Sequence, residues 1–125
     1  MQFIYPAIIH QENDGFWAEF PDLEGTFTQG DSLNEIMTNA TEAMELTVLE
    51  LLENSKSLPK ATEVNSVRHD KQSFVTLIQS DIDLAKNSKS IKKTLTIPAW
   101  LNDKALAKGI NFSKVLQEAL IAKTL

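Results

Sequence analysis

Five carboxylates, Asp14, Glu19, Asp22, Glu24 and Asp31, crowd into the amino-terminal quarter of the sequence. Metal-dependent nucleases gather such groups around paired cations. The local sequence gives most of these residues another use. Asp14 stands in Glu12-Asn13-Asp14-Gly15 and Asp22 in Pro21-Asp22-Leu23-Glu24-Gly25, where a short acidic side chain bonds its own turn, and Glu24 and Asp31 flank further turns. His10 and His69 lie far apart with no nucleophile or ligand beside them, and Ser32 is accounted for as a helix cap. No catalytic set, metal site or cofactor is expected. An acidic surface of this kind attracts a basic partner without any reaction.

A second group of residues carries chemistry of a different kind. Ile91-Lys92-Lys93-Thr94-Leu95-Thr96-Ile97 alternates, with Ile91, Leu95 and Ile97 on one side and Lys92, Thr94 and Thr96 on the other, while Lys93 interrupts the apolar side. The pattern predicts a half-buried strand. A two-stranded ribbon fits the DNA major groove, where Lys donates to guanine O6 and N7 and Thr bonds base edges or touches a thymine methyl. Lys92, Thr94 and Thr96 are therefore expected to read bases, with Lys93 near phosphate. Charge agrees with this placement. Residues 1–83 hold fifteen Asp and Glu against four Lys and Arg, net −11, whereas residues 84–125 hold two against eight, net +6. A basic tail following an acidic body points to nucleic acid for the tail and a basic partner for the body.

The elements that must position these residues are legible in outline. Gln2 to His10 and Phe16 to Phe20 predict a β-hairpin, and Thr26 to Gln29 a short third strand closed by Gly30-Asp31. Ser32-Leu33-Asn34-Glu35 is a capping box opening a helix, along which Leu33, Ile36, Met37, Ala40, Ala43, Met44, Thr47, Val48, Leu51 and Leu52 recur at helical spacing. Ser73 to Gln79 predicts a fourth strand. The order is βββαβ over residues 1–82, an α+β layer with one helix on one face of a sheet. On the second strand Phe16, Ala18 and Phe20 share the face expected to meet the helix, leaving Trp17 and Glu19 on the uncovered face where a partner docks.

Residues 83–90 have the composition of a linker, and residues 91–125 form a strand–helix–helix unit. Pro98 suits the first helical position, Gly109 the left-handed ending, and Asn111 or Ser113 the cap of the second helix. The amino terminus of that helix, with Asn111, Ser113 and Lys114, is expected to hold phosphate. So small a unit without cysteine needs a second copy. Pairing the two strands antiparallel would bury Leu95 and Ile97 with Leu101, Val115, Leu116 and Leu120 in a shared core. No apolar run approaches the length of a membrane span, no signal sequence opens the chain, and the absence of cysteine fits a reducing cytoplasm.

Two stretches carry family resemblances. The Ile-Pro step and the Gly-x-Asn-x-Ser turn of Gly109, Asn111 and Ser113 resemble the ribbon-helix-helix superfamily. Gly15 to Gly25, Thr28 to Asp31 and Asn39 to Leu52 are similar to the HicB antitoxin family. That resemblance implies a partial RNase H-like amino-terminal domain that neutralises a small HicA-like toxin, an RNA-binding protein cleaving messenger RNA through a catalytic His. Asp14, Trp17, Glu19, Asp22 and Glu24 would form the toxin-binding surface. The carboxy-terminal dimer would repress the operon at its own operator DNA, in a heterotetramer or larger assembly with the toxin. The rival readings are a metal-dependent nuclease of the RNase H-like type and a repressor that senses a small effector.

Overall fold

Strand β1, Gln2–Glu12, alternates its side chains across a sheet, and its odd-numbered residues Phe3, Tyr5, Ala7 and Ile9 all turn to the same buried face. The computed structural model describes all residues, 1–125, which divide into two units, Met1–Ser88 and Lys89–Leu125. In the first unit, β1 pairs with β2, Gly15–Glu19, and with β4, Ser73–Asp81, while β3, Phe27–Gly30, pairs with β2. Every pairing is antiparallel, and the strand order is β3-β2-β1-β4.

Helix α1, Leu33–Glu53, lies on one face of this sheet. Its residues Ile36, Ala40, Met44 and Val48 recur every four positions and are wholly buried against Phe3, Tyr5, Ala7, Ile9, Ala18 and Ile78. Full burial of a side chain the size of Ile36 or Met44 contributes about 1.5–3 kcal/mol, so this row is the main adhesive between the layers. Ala40 and Ala18 are both wholly buried in the same core. Ser32 caps the helix, its Oγ accepting from the Glu35 amide at 3.1 Å. The reciprocal half of the expected capping box does not form, and Glu35 instead faces a groove described below.

Both ends of α1 impose conditions on the chain. A Cβ at Gly30 would stand 2.7 Å from the Ile36 backbone nitrogen, so only glycine lets β3 pass the first turn of the helix. At the far end Ser55 adopts the left-handed conformation, with φ 54°. The Ser55 amide donates to Leu52 O and the Lys56 amide to Leu51 O, which satisfies carbonyls the ending helix leaves free.

In the second unit, α3 spans Ala99–Ala107 and α4 spans Phe112–Thr124. Gly109 ends α3 in the left-handed region, and the amides of Gly109 and Ile110 donate back to Leu106 and Ala105. Asn111, rather than Ser113, caps α4, its Oδ1 accepting from the Lys114 amide at 3.1 Å. Pro98 is the residue before α3, and its carbonyl accepts the first helical bonds. Within residues 83–90, expected as linker, Asp83 caps a one-turn helix α2, Leu84–Asn87.

One expectation is corrected. Ile91 to Ile97 is not a strand in the single chain but carries no regular secondary structure, and all seven residues are exposed. The physical reason is that a strand exists only by hydrogen bonding to another, and nothing in this chain pairs with the segment.

Two substitutions test this account of the helix ends. Gly30→Ala should lower stability by about 1–3 kcal/mol, because neither the backbone of β3 nor that of α1 can give way freely. Ser55→Gly should raise it by about 1 kcal/mol by removing the left-handed penalty of a Cβ. Urea unfolding of the two variants beside the parent protein reads both shifts, and a stable Gly30→Ala protein would refute the close passage.

Candidate functional site

The face of the sheet turned away from α1 carries a cluster built from the even side of β1 and the odd side of β2. The pairing sets His10 opposite Trp17 and Ile8 opposite Glu19. Directly opposed residues in such a ladder point to the same face, so His10, Trp17 and Glu19 meet there. The His10 and Trp17 rings stack with centroids 4.0 Å apart and planes 9° from parallel. His10 Nε2 lies 2.9 Å from Glu19 Oε2, an interaction that holds the imidazole edge while its face covers the indole. Trp17 is thus a half-buried, braced aromatic rather than a loose surface side chain. The sequence alone offers His10 no nucleophile or ligand beside it. The signal that could have found it is its place nine residues before Glu19 across a tight hairpin, which brings both onto one face.

Beside this cluster an open groove of about 1210 Å³ runs along the hairpin end of the sheet. Trp17 and Gln29 form part of its wall, and Glu12, Asp14, Asp31 and Glu35 give it four carboxylates with no cationic side chain among its lining residues. Such a groove favours cations held on a macromolecular surface. No three of the chain's His, Asp and Glu side chains are gathered closely enough to hold a metal ion.

The five residues expected at a partner surface separate into three places. Asp14 and Trp17 share the groove, and Glu19 joins Trp17 through His10. Asp22 has a different job: its Oδ2 accepts from the Thr62 amide at 2.9 Å and its Oδ1 from the Thr62 hydroxyl at 2.6 Å. The same segment is held by the Tyr5 hydroxyl, which donates to the Pro59 carbonyl at 2.6 Å. Burial pushes the Tyr5 phenol above its ordinary pKa of 10.0, and the Asp22 carboxylate pushes it further the same way. Glu24 sits exposed in the adjoining turn.

In the carboxy-terminal unit Lys92, Lys93, Thr94 and Thr96 are exposed, as are Asn111, Ser113 and Lys114 at the start of α4. Neither α3 nor α4 has a buried residue. Leu95, Leu101, Val115 and Leu120 are between 41% and 57% exposed, and Ile97 46%, with Leu116 half-buried. Trp100 also stands in solvent, with the Lys104 ammonium 5.6 Å from its ring centre. No helix of the chain is long and apolar enough to cross a membrane.

Comparison with known proteins places these features in context. Residues 5–120 match the family described as the HicB-like antitoxin of bacterial toxin–antitoxin systems. An uncharacterized 14.9 kDa protein from the rep-hol intergenic region of Haemophilus phage HP1 is 35% identical over 102 residues, covering 78% of this chain and 75% of its own. A chain of a toxin–antitoxin complex from Streptococcus pneumoniae superimposes with a TM-score of 0.60 at 28% identity, over 98% of this chain and 99% of that one. A chain of the HicA3 and HicB3 toxin–antitoxin complex superimposes with a TM-score of 0.51 at 26% identity, over 60% of this chain and 94% of its own.

The strap held by Tyr5 and Asp22 makes a pH prediction. A phenol whose pKa is raised by folding keeps a proton that the unfolded chain has already lost. The stability it confers is complete below pH 10.0 and disappears as pH rises through the raised value. Tyr5 is the only tyrosine, so phenolate absorbance reports it alone. Asp22→Asn should shift that titration to lower pH, towards the ordinary value, while burial still holds it up. An unmoved titration curve would rule out the influence of Asp22.

Proposed function

Because the chain belongs to the HicB-like antitoxin family of bacterial toxin–antitoxin systems, we propose that it neutralises a HicA-like toxin through Met1–Ser88 and represses its own operon through Lys89–Leu125. In this reading two carboxy-terminal units pair their Ile91–Ile97 segments into a ribbon-helix-helix dimer on operator DNA. The observation that carries the proposal is the apolar face left in water on that unit. Leu95, Ile97, Leu101, Val115 and Leu120 are all exposed in the single chain, and a second copy would remove them from solvent together. The same pairing would supply Ile91–Ile97 with the missing ladder. It would also bring Lys92, Thr94 and Thr96 of both chains onto one outward surface, with Lys93, Asn111, Ser113 and Lys114 near phosphates.

The amino-terminal unit supports the toxin-binding half of the proposal through shape and charge. A toxin that grips RNA must present cations, and the groove holding Glu12, Asp14, Asp31 and Glu35 offers carboxylates in place of phosphates. The braced Trp17 supplies the rigid aromatic anchor that such a contact needs, and little of its rotamer freedom remains to be lost on binding. Neutralisation is then competition: the antitoxin covers the basic face through which the toxin holds its RNA, and no reaction takes place on the antitoxin. The coupling of two such units by a carboxy-terminal dimer would link operator occupancy to the amount of toxin bound.

The two halves separate by mutation. Substituting Ala at Lys92, Thr94 or Thr96 should weaken operator binding by about 1–3 kcal/mol for each base contact and leave toxin binding intact. Trp17→Ala should weaken toxin binding by about 2 kcal/mol or more and leave operator binding intact. Gel-shift titration with operator DNA and calorimetry with the neighbouring gene's product measure the two affinities. Operator affinity unchanged in all three ribbon variants would sink the DNA-reading role.

A further inference from the structure

The His10–Trp17 stack leaves one face of the indole unused. The strand order is β3-β2-β1-β4, so His10 covers Trp17 from the β1 side and the opposite ring face is turned towards β3. The residue paired with Trp17 on that side is Gln29, which is exposed and shares the groove wall with it. The indole thus stands at the border of the groove with one face packed and the other open. Phe27, set opposite Glu19 on the same side of the sheet, is 63% exposed. Aromatic side chains left in water side by side are characteristic of contact surfaces.

Chemistry narrows what the open face accepts. An indole presents a negative π surface, which attracts cations and stacks on flat groups. A nucleobase is flat but arrives with phosphate, and Glu12, Asp14, Asp31 and Glu35 line the groove with no cation among them. A lysine ammonium is a compact, strongly hydrated charge that gains little from a flat surface. A guanidinium is planar and weakly hydrated, so it can lie against the indole while its N–H groups reach carboxylates beyond the ring's edge. Resting on the toxin-binding role given above, we propose that the open face of Trp17 is a stacking platform for an arginine side chain of the toxin's basic surface, and that His10 is the residue that positions it. The imidazole, 4.0 Å from the indole and nearly parallel to it, blocks rotation of Trp17 out of the groove wall. The Glu19 carboxylate, 2.9 Å from His10 Nε2, stops the imidazole from swinging away. Glu19 is therefore a brace behind the platform and not one of the groove carboxylates.

Two peptides of equal charge, hexa-arginine and hexa-lysine, separate the guanidinium from charge alone in calorimetry on the full chain. Hexa-arginine should bind severalfold more tightly than hexa-lysine, and Trp17→Leu should abolish the difference. Equal affinities for the parent protein overturn the platform, as does a preference that survives Trp17→Leu. For the positioning role the titrant is the neighbouring gene's product. His10→Ala should weaken toxin binding by about two- to tenfold, since an unbraced indole must then be ordered at the moment of contact. In a Trp17→Ala background the same change should cost nothing, and His10→Phe, which keeps a flat ring on the indole, should restore most of the affinity. Fluorescence anisotropy decay reads the brace without any toxin: the chain has two tryptophans, and Trp100→Phe leaves Trp17 as the sole emitter. In that background His10→Ala should speed the local motion of the indole and His10→Phe should not. Full toxin affinity in His10→Ala beside a weakened Trp17→Ala protein overturns the positioning role and leaves toxin binding standing, whereas full affinity in both overturns toxin binding at this face.

Discussion

β1 has to serve two surfaces at once, and the rest of the amino-terminal unit is arranged around that requirement. Its odd-numbered side chains are committed to α1, where Ile36, Ala40, Met44 and Val48 form the facing row. Because successive residues of a strand point to opposite sides, that commitment sends His10 to the uncovered face, and the pairing with β2 then sets Trp17 beside it. A one-residue slip of β1 against β2 would break the core and the His10–Trp17 stack together. The site is therefore held in place by the same register that holds the core, with no separate scaffold of its own.

The carboxy-terminal unit answers to a different constraint. Thirty-seven residues arranged as two short helices leave no interior, and every apolar side chain on α3 and α4 keeps at least part of its surface in water. Local hydrogen bonding is nonetheless well satisfied: Asn111 caps α4, and the Gly109 turn closes α3. Caps and turns define elements, whereas burial stabilises their arrangement, and only the first is complete within one chain.

These two constraints explain what was legible in the sequence. Helical spacing from Ile36 to Val48 and strict alternation in β1 and β2 are local patterns that a buried face imposes, so the βββαβ order and the inward set of Ala18 and Phe20 could be read directly. The choice between Asn111 and Ser113 as cap could not, since both side chains can do the work and the turn geometry decides. Asp22 looked like part of an acidic surface because its partner, Thr62, lies forty residues away. His10 was passed over for a similar reason, its meaning residing in the ladder opposite. The ribbon strand fails in the opposite sense: its pattern is strong, yet a pattern supplies only the side chains, and nothing within the chain supplies a hydrogen-bonding partner.

Unmet bonding capacity is common to the two units. In the first, the bare main-chain groups of β4 ask for hydrogen bonds; in the second, the exposed Leu95, Ile97 and Leu120 ask for burial. The energetics differ accordingly. Strand pairing is directional, and its register is set by matched side chains, so it fixes alignment. Apolar burial is non-directional and scales with area, so it governs whether two copies stay together.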